Sequence, residues 1–166
     1  MEAKFIEYSK VLLRGEELLN ESRRHMKFMD SRRSVREFSS EPVSIEVLEN
    51  LVMTASTAPS GANKQPWTFC IVTNAETRTK IRTEAEKEEY ESYHGRMPKE
   101  WLDDLSYLGT DWKKPFLENA AALIIVFRKT YDLVDGVKQK NYYPIESIGL
   151  ACGFLIQAIH QCGQCY

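Results

Sequence analysis

Three arginines, Arg32, Arg33 and Arg36, lie within the stretch SRRSVREFS that runs from Ser31 to Ser39. A guanidinium group binds phosphate well because its planar fork donates two charge-assisted hydrogen bonds. Flavin mononucleotide (FMN) offers such a phosphate, and its reduced ring carries negative charge that a nearby cation stabilises. Adjacent arginines are also common on surfaces that bind no ligand, so the cluster alone leaves both interpretations open.

A second stretch, TAPSGANKQPW, joins a predicted helix to a predicted strand between Thr57 and Trp67. Its centre holds the small residues Ser60, Gly61 and Ala62, which let backbone N–H groups approach a flat or anionic ligand closely. A loop bounded by two prolines is also an ordinary connection between a helix and a strand. Spacing alone does not separate a ligand-binding loop from a plain connection.

Two further segments carry charges but read as ordinary surface when taken alone. EKEEYESY, with Glu89 and Tyr93, is typical of a solvated helix, and DWKKPF, with Lys114, is typical of a turn. Because Tyr93 follows Glu89 by four positions, both side chains are predicted on one helix face.

Near the end of the chain, CGQC holds Cys162 and Cys165. This pair is similar to a redox or zinc motif, but redox pairs normally begin a helix rather than end one.

The composition excludes several classes of function. Lys and Arg number 22 against 24 Asp and Glu, a formal net charge of −2, whereas nucleic-acid binding needs an excess of basic residues. No apolar run is long enough to span a membrane, and MEAKFIEYSK lacks the apolar stretch of a signal peptide. The four cysteines suggest no disulfide framework. We therefore predict a single domain, residues 1–166, in the cytoplasm, bound neither to nucleic acid nor to a membrane.

The hydrophobic pattern predicts helices and strands in mixed order. Helices are expected over about 5–29, 44–57, 75–93 and 145–162, with a short helix beginning near Pro98. Strands are expected in WTFCIVT and in AALIIVF (121–127), and a polar loop around VDGVKQKN. Mixed elements in this order predict an α+β domain whose sheet is flanked by helices.

Taken together, these segments resemble a known family. SRRSVREFS, TASTAPSGANKQPWTFCIV, EKEEYESYHGRM, GTDWKKPFL and KNYYPIESIGLACGFLIQAIHQ resemble motifs of iodotyrosine deiodinases, a branch of the flavin-dependent nitroreductase superfamily. The resemblance covers about residues 25–163 and implies a nitroreductase-like α+β fold with a mostly antiparallel sheet. It implies contacts to FMN from Arg32, Arg33, Ser34, Arg36, Pro59, Ser60 and Gly61. For the substrate it implies contacts from Ala62, Glu89, Tyr93 and Lys114.

The activity implied by the resemblance is reductive dehalogenation of a halotyrosine, in which reduced FMN supplies the electrons. Glu89 and Lys114 match the two charges of an amino-acid zwitterion, and an insertion over about residues 84–116 is expected to close over it as a lid. The resemblance also implies a homodimer that receives electrons from a reduced nicotinamide or a reductase. A general nitroreductase or quinone reductase, and a non-catalytic remnant of such an enzyme, are the alternatives.

The resemblance ends shortly before the end of the chain. The family pattern continues past IHQ with a Thr-rich strand, whereas this sequence reads CGQCY and ends at Tyr166. We therefore expect the C-terminal part of the fold to be missing. The apolar faces of AALIIVF and of the 145–162 helix should then lack cover.

Overall fold

The structure is a computed structural model that describes residues 7–39 and 41–163. The chain forms two compact units, Met1–Arg33 and Ser34–Tyr166. The described residues contain six α-helices and four β-strands, with a 3₁₀ turn at Gly61–Asn63 and a π-helical turn at Ser92–Arg96. In chain order these are α1 (Gly15–Asp30), α2 (Ile45–Ser56), β1 (Trp67–Val72), α3 (Ala75–Glu91), α4 (Lys99–Ser106), α5 (Phe116–Asn119), β2 (Leu123–Arg128), β3 (Tyr131–Val134), β4 (Val137–Lys140) and α6 (Pro144–Gln161).

The first unit contains α1, which is shorter than predicted. The helix was predicted to begin near residue 5. Residues 7–14 are not helical, so this prediction was wrong for them, and residues 5 and 6 lie outside the described part. The helix begins at Gly15, directly after Arg14 in an extended conformation. Tyr8 and Val11 carry the helical spacing, but they are 82% and 84% exposed. Since a short helix depends on packing of its apolar face, this segment has little to stabilise it.

The core of the second unit lies between α2, α6 and the β1–β2 sheet. One buried cluster consists of Leu51, Ala55 and Leu155, and the other of Ala58, Trp67 and Ala151. The predicted helices at 44–57 and 145–162 are thereby confirmed as α2 and α6. The Ser44 side chain caps α2 by accepting a hydrogen bond from the Val47 backbone N–H.

The strands form two antiparallel pairs. β1 pairs with β2 so that Trp67 lies opposite Arg128 and Val72 opposite Leu123, which confirms the two predicted core strands. The prediction of a polar loop around VDGVKQKN was wrong, because β3 and β4 form a hairpin there. Its turn residues Asp135 and Gly136 have φ angles of 50° and 78°, as a tight hairpin turn requires.

The side of α6 that faces away from the core is uncovered, as expected, and carries apolar residues beside the polar Glu146 and Gln157. Its exposed large apolar residues are Ile145, Leu150, Phe154 and Ile156. Gly149 and Gly153 belong to the same helix, and a Cβ added at either would meet no atom within 4 Å. Among the residues that the structure describes, no helix is both long enough and apolar enough to cross a bilayer.

Candidate functional site

Three residues expected at a substrate site lie side by side. The Lys114 ammonium nitrogen is 3.2 Å from the Glu89 carboxylate and 5.7 Å from the centre of the Tyr93 ring. The Lys114 side chain is only 18% exposed, and that of Glu89 is 37% exposed. The ammonium group also donates a 2.6 Å hydrogen bond to the Asp111 carbonyl oxygen. The cluster therefore holds one acid, one base and one phenol within reach of a small ligand.

The end of α3 explains how Glu89 and Tyr93 come to share a face. The helix was predicted to reach residue 93 but ends at Glu91, and Tyr93 lies in the π-helical turn that follows. The Met97 N–H closes that turn by donating to the Ser92 carbonyl oxygen at 2.9 Å. Single π turns recur at functional sites, where they re-aim side chains. Here the Tyr93 hydroxyl lies 3.3 Å from the Thr110 hydroxyl, beside Lys114.

A charged network joins α3 to α5 next to this cluster. Glu86 accepts a 2.8 Å hydrogen bond from Arg82 and a 2.7 Å bond from the Lys114 backbone N–H. Arg82 also donates to Glu118 at 2.8 Å, and Glu118 accepts from the Thr79 hydroxyl at 2.8 Å. The Arg82 hydrogen bond is the main cause that lowers the pKa of both Glu86 and Glu118 from the ordinary glutamate range. Both carboxylates are therefore ionised at neutral pH.

The loop that follows α2 has an unusual backbone. Ala62, Asn63 and Gln65 all have left-handed φ angles, of 50°, 53° and 47°. For residues with a Cβ this conformation costs free energy and is kept only where the surroundings enforce it. One support is the Ser60 hydroxyl oxygen, which accepts a 2.9 Å hydrogen bond from the Gln65 N–H.

Packing against a distant segment leaves little space for a Cβ at Gly61, and nothing in the sequence indicates this contact. A Cβ at Gly61 would lie 3.0 Å from the Tyr142 carbonyl oxygen and 3.1 Å from the Tyr143 ring. The loop therefore rests on the segment that precedes α6. Tyr143 is itself left-handed, with a φ of 47°, and its carbonyl oxygen accepts hydrogen bonds from the Ser147 N–H and hydroxyl. Asn141, which begins this segment, is buried.

The arginine-rich segment spans the end of the first unit and the start of the second. Arg33 is exposed and donates to the Asp30 and Arg32 carbonyl oxygens at 2.5 and 2.7 Å. Arg32 is half-buried and Ser34 is exposed. Arg36 is exposed, with its guanidinium carbon 6.0 Å from the centre of the Phe116 ring. Contacts of these residues with FMN stay a prediction.

Two groups of site residues were missed by sequence analysis. Glu86 stands among similar acidic residues in EAEKEEYE, and its bond to Lys114 joins positions 28 apart, so no local signal marks it. Tyr142 and Tyr143 stand just before Pro144, a common helix start, but nothing local indicates their contact with Gly61.

Cys162 is an exposed free thiol, and Cys165 lies outside the described residues. Within residues 7–39 and 41–163, no group of three or more metal-ligating side chains could hold a metal ion.

Comparison with known proteins identifies the family. A model of the nitroreductase family matches residues 29–163. The iodotyrosine deiodinase of Haliscomenobacter hydrossis is 59% identical over 160 residues, which cover 96% of this chain and 72% of that protein. The iodotyrosine deiodinase of Hydra vulgaris is 42% identical over 160 residues, which cover 96% of this chain and 59% of that protein. The chain thus spans less than two thirds of the animal relative.

A solved structure shares the fold. The crystal structure of oxidized iodotyrosine deiodinase bound to FMN and 3-iodo-L-tyrosine superposes with a TM-score of 0.74 at 31% identity, over 83% of this chain and 70% of that chain. The predicted family and the predicted α+β fold are both confirmed. The chain belongs to the nitroreductase family and is a homologue of the iodotyrosine deiodinases within it.

Proposed function

We propose that this chain binds FMN and reductively dehalogenates a halotyrosine. The observation that carries the proposal is the placement of Glu89, Tyr93 and Lys114 beside one another, complementary in charge to an amino-acid zwitterion. The identity to iodotyrosine deiodinases supports the same reaction. The related structure that binds FMN and 3-iodo-L-tyrosine supports the same cofactor and substrate class.

Recognition of the substrate follows from the charges of the cluster. The Glu89 carboxylate pairs with the substrate ammonium group, while Lys114 and the Tyr93 hydroxyl bind the substrate carboxylate. Lys114 and Glu89 also pair with each other. An entering zwitterion therefore exchanges one internal ion pair for two pairs with the ligand. A phenol without the amino-acid end gains neither pair, so the cluster selects amino acids over simple phenols.

The residues proposed to contact FMN fit the chemistry of the cofactor. Arg32, Arg33 and Arg36 supply cations for the phosphate and for the reduced ring, with Ser34 beside them. In the loop after α2, Pro59, Ser60 and Gly61 lie against the ring, and Ala62 contacts the substrate. Reduced FMN supplies the two electrons which, with one proton, replace the carbon–halogen bond by a carbon–hydrogen bond and release halide.

We further propose that the active form is a homodimer in the cytoplasm, supplied with electrons by a reduced nicotinamide or a reductase. The exposed apolar face of α6 supports the dimer, because a soluble protein rarely leaves such a face uncovered. The α6 helix of a second copy would present the same apolar residues, so the two helices could cover each other. Gly149 and Gly153 leave room for the two helices to approach closely.

The proposal is tested by titrating the purified chain with FMN and then adding 3-iodo-L-tyrosine to the loaded protein. We expect bound flavin absorbance and quenching of the remaining flavin fluorescence by the amino acid. Glu89→Gln and Lys114→Met should each weaken binding of the amino acid. Glu88→Gln is the matched control, because Glu88 lies on the same helix and pairs with Arg96 instead. A chain that takes up no FMN refutes the proposal.

The same variants distinguish a halotyrosine dehalogenase from the main alternative, a general nitroreductase. If Glu89→Gln and Lys114→Met bind and turn over 3-iodo-L-tyrosine as the wild type does, the charge cluster has no role in recognition. Reduction of nitroaromatics or quinones, which carry no zwitterion, would then be the activity to measure.

A further inference from the structure

Lys114 lies in a loop, yet its position is fixed. It belongs to the irregular segment between α4, which ends at Ser106, and α5, which begins at Phe116. A cation that must meet a substrate carboxylate needs a defined backbone position, because a mobile lysine loses conformational entropy each time it binds. The contacts that hold the backbone of Lys114 are therefore part of the binding site even where they do not touch the ligand.

The backbone contact comes from α3. The Lys114 N–H donates a 2.7 Å hydrogen bond to one carboxylate oxygen of Glu86, and the same oxygen accepts from Arg82 at 2.8 Å. The Glu86 side chain is only 19% exposed, so water competes weakly for these bonds. Arg82 also pairs with Glu118 on α5, so a charged contact ties the segment that follows Lys114 to α3.

The spacing of residues along α3 and the turn after it explains how this segment contacts both the backbone N–H and the ammonium group of Lys114. Arg82, Glu86 and Glu89 are separated by four and three positions along α3, and the π-helical turn adds Tyr93 four positions later, so that the four residues form one stripe. The first two residues of the stripe hold the backbone of Lys114 through Glu86. The last two flank its ammonium group, at 3.2 Å for Glu89 and 5.7 Å for the Tyr93 ring.

We propose that Glu86 is a positioning residue for substrate recognition: its carboxylate fixes the Lys114 backbone so that the ammonium group lies between Glu89 and Tyr93. This proposal rests on the proposed function, because it assumes that Lys114 binds the substrate carboxylate. Glu86 itself touches no substrate atom in this account. Its removal therefore weakens binding of the amino acid and leaves binding of FMN unchanged.

The binding test uses the FMN-loaded chain and three variants. Glu86→Ala removes the acceptor, and Glu86→Gln keeps a neutral acceptor oxygen. Glu84→Ala is the control, because Glu84 is an exposed residue of α3 that pairs with Lys87. The dissociation constant of 3-iodo-L-tyrosine is read from flavin fluorescence. We expect a rise of about tenfold for Glu86→Ala, most of the affinity restored in Glu86→Gln, and no change in Glu84→Ala.

A second readout needs no substrate. Hydrogen exchange of the ligand-free chain, followed by mass spectrometry, should show faster exchange in peptides that contain Lys114 for Glu86→Ala, and unchanged exchange in peptides from α6. Equal exchange in the wild type and Glu86→Ala overturns the proposal. So does equal loss of FMN and amino-acid affinity, which would mean that Glu86 supports the whole fold.

The two proposals fail in different ways. If the wild type binds no 3-iodo-L-tyrosine, the proposed function fails while the exchange experiment still reports whether Glu86 fixes Lys114. If the wild type binds the amino acid and Glu86→Ala binds it equally well, only the positioning role is wrong.

Discussion

Replacing Gly61 by alanine tests whether the loop after α2 rests on the segment before α6. The new Cβ would lie 3.0 Å from the Tyr142 carbonyl oxygen, 3.1 Å from the Tyr142 Cβ and 3.1 Å from the Tyr143 ring. The ring can rotate away, but the carbonyl oxygen and the Cβ move only with the backbone. Overpacking of this kind costs about 1–3 kcal/mol. Gly61 is not in the left-handed region, so alanine adds no φ strain, and its lower unfolded-state entropy offsets about 0.4–1 kcal/mol.

The middle of each range, an overpacking cost of about 2 kcal/mol less an entropic gain of about 0.7 kcal/mol, gives an expected net loss of about 1.3 kcal/mol of folding free energy for Gly61→Ala. In a chain of this size that corresponds to a fall in Tm of about 3–5 °C. The assay is thermal unfolding followed by circular dichroism, with the FMN dissociation constant as a second measurement that should rise. Gly95→Ala is the matched control, because a Cβ there meets no atom within 4 Å; only the entropic gain remains, so its Tm should equal or slightly exceed that of the wild type. Equal Tm values for Gly61→Ala and Gly95→Ala would refute the packing argument.

Three further predictions follow from single contacts. Ser44→Ala removes the oxygen that caps α2 and should lower stability by about 1 kcal/mol in urea unfolding, and an unchanged midpoint would contradict this. Leu150→Lys places a charge on the exposed face of α6, so sedimentation should show a monomer; a dimer equal to the wild type argues against that interface. Because Arg82 lowers the pKa of Glu86 and Glu118, their stabilisation is complete above the unfolded value of about 4.3 and is lost as the pH falls through the lower folded values. The difference in stability between the wild type and Glu86→Gln should therefore be constant between about pH 7 and 5 and shrink below about pH 4, and a difference at about pH 3 equal to that at about pH 7 would be inconsistent.

Elements with strong local signals could be predicted from the sequence. α2 begins after the capping Ser44, and α6 has Pro144 in its first turn, so each start is marked within a few residues. β1 and β2 are apolar enough to be recognised without knowledge of their partner. Helical spacing predicts Glu89 and Tyr93 on one face, and both contact Lys114, although Tyr93 lies in the π-helical turn and not in α3.

Features that depend on distant contacts could not be predicted in the same way. Residues 7–14 have helical spacing, but periodicity alone cannot tell whether anything covers their apolar positions. The hydrogen bond from Lys114 to Glu86 and the packing of Gly61 on Tyr142 both join segments far apart in the chain. The hairpin of β3 and β4 differs, because its Asp135–Gly136 turn is a recognisable signal. Its strands have four residues each and are almost entirely exposed, so no buried apolar run marks them.

Release of halide from 3-iodo-L-tyrosine is the measurement that decides whether this chain is a dehalogenase. The FMN-loaded chain is reduced with dithionite without oxygen, the amino acid is added, and tyrosine and iodide are quantified by chromatography. We expect tyrosine and iodide in equal amounts, with little product from Lys114→Met. A reduced, FMN-loaded chain that binds the amino acid and releases no iodide would contradict it.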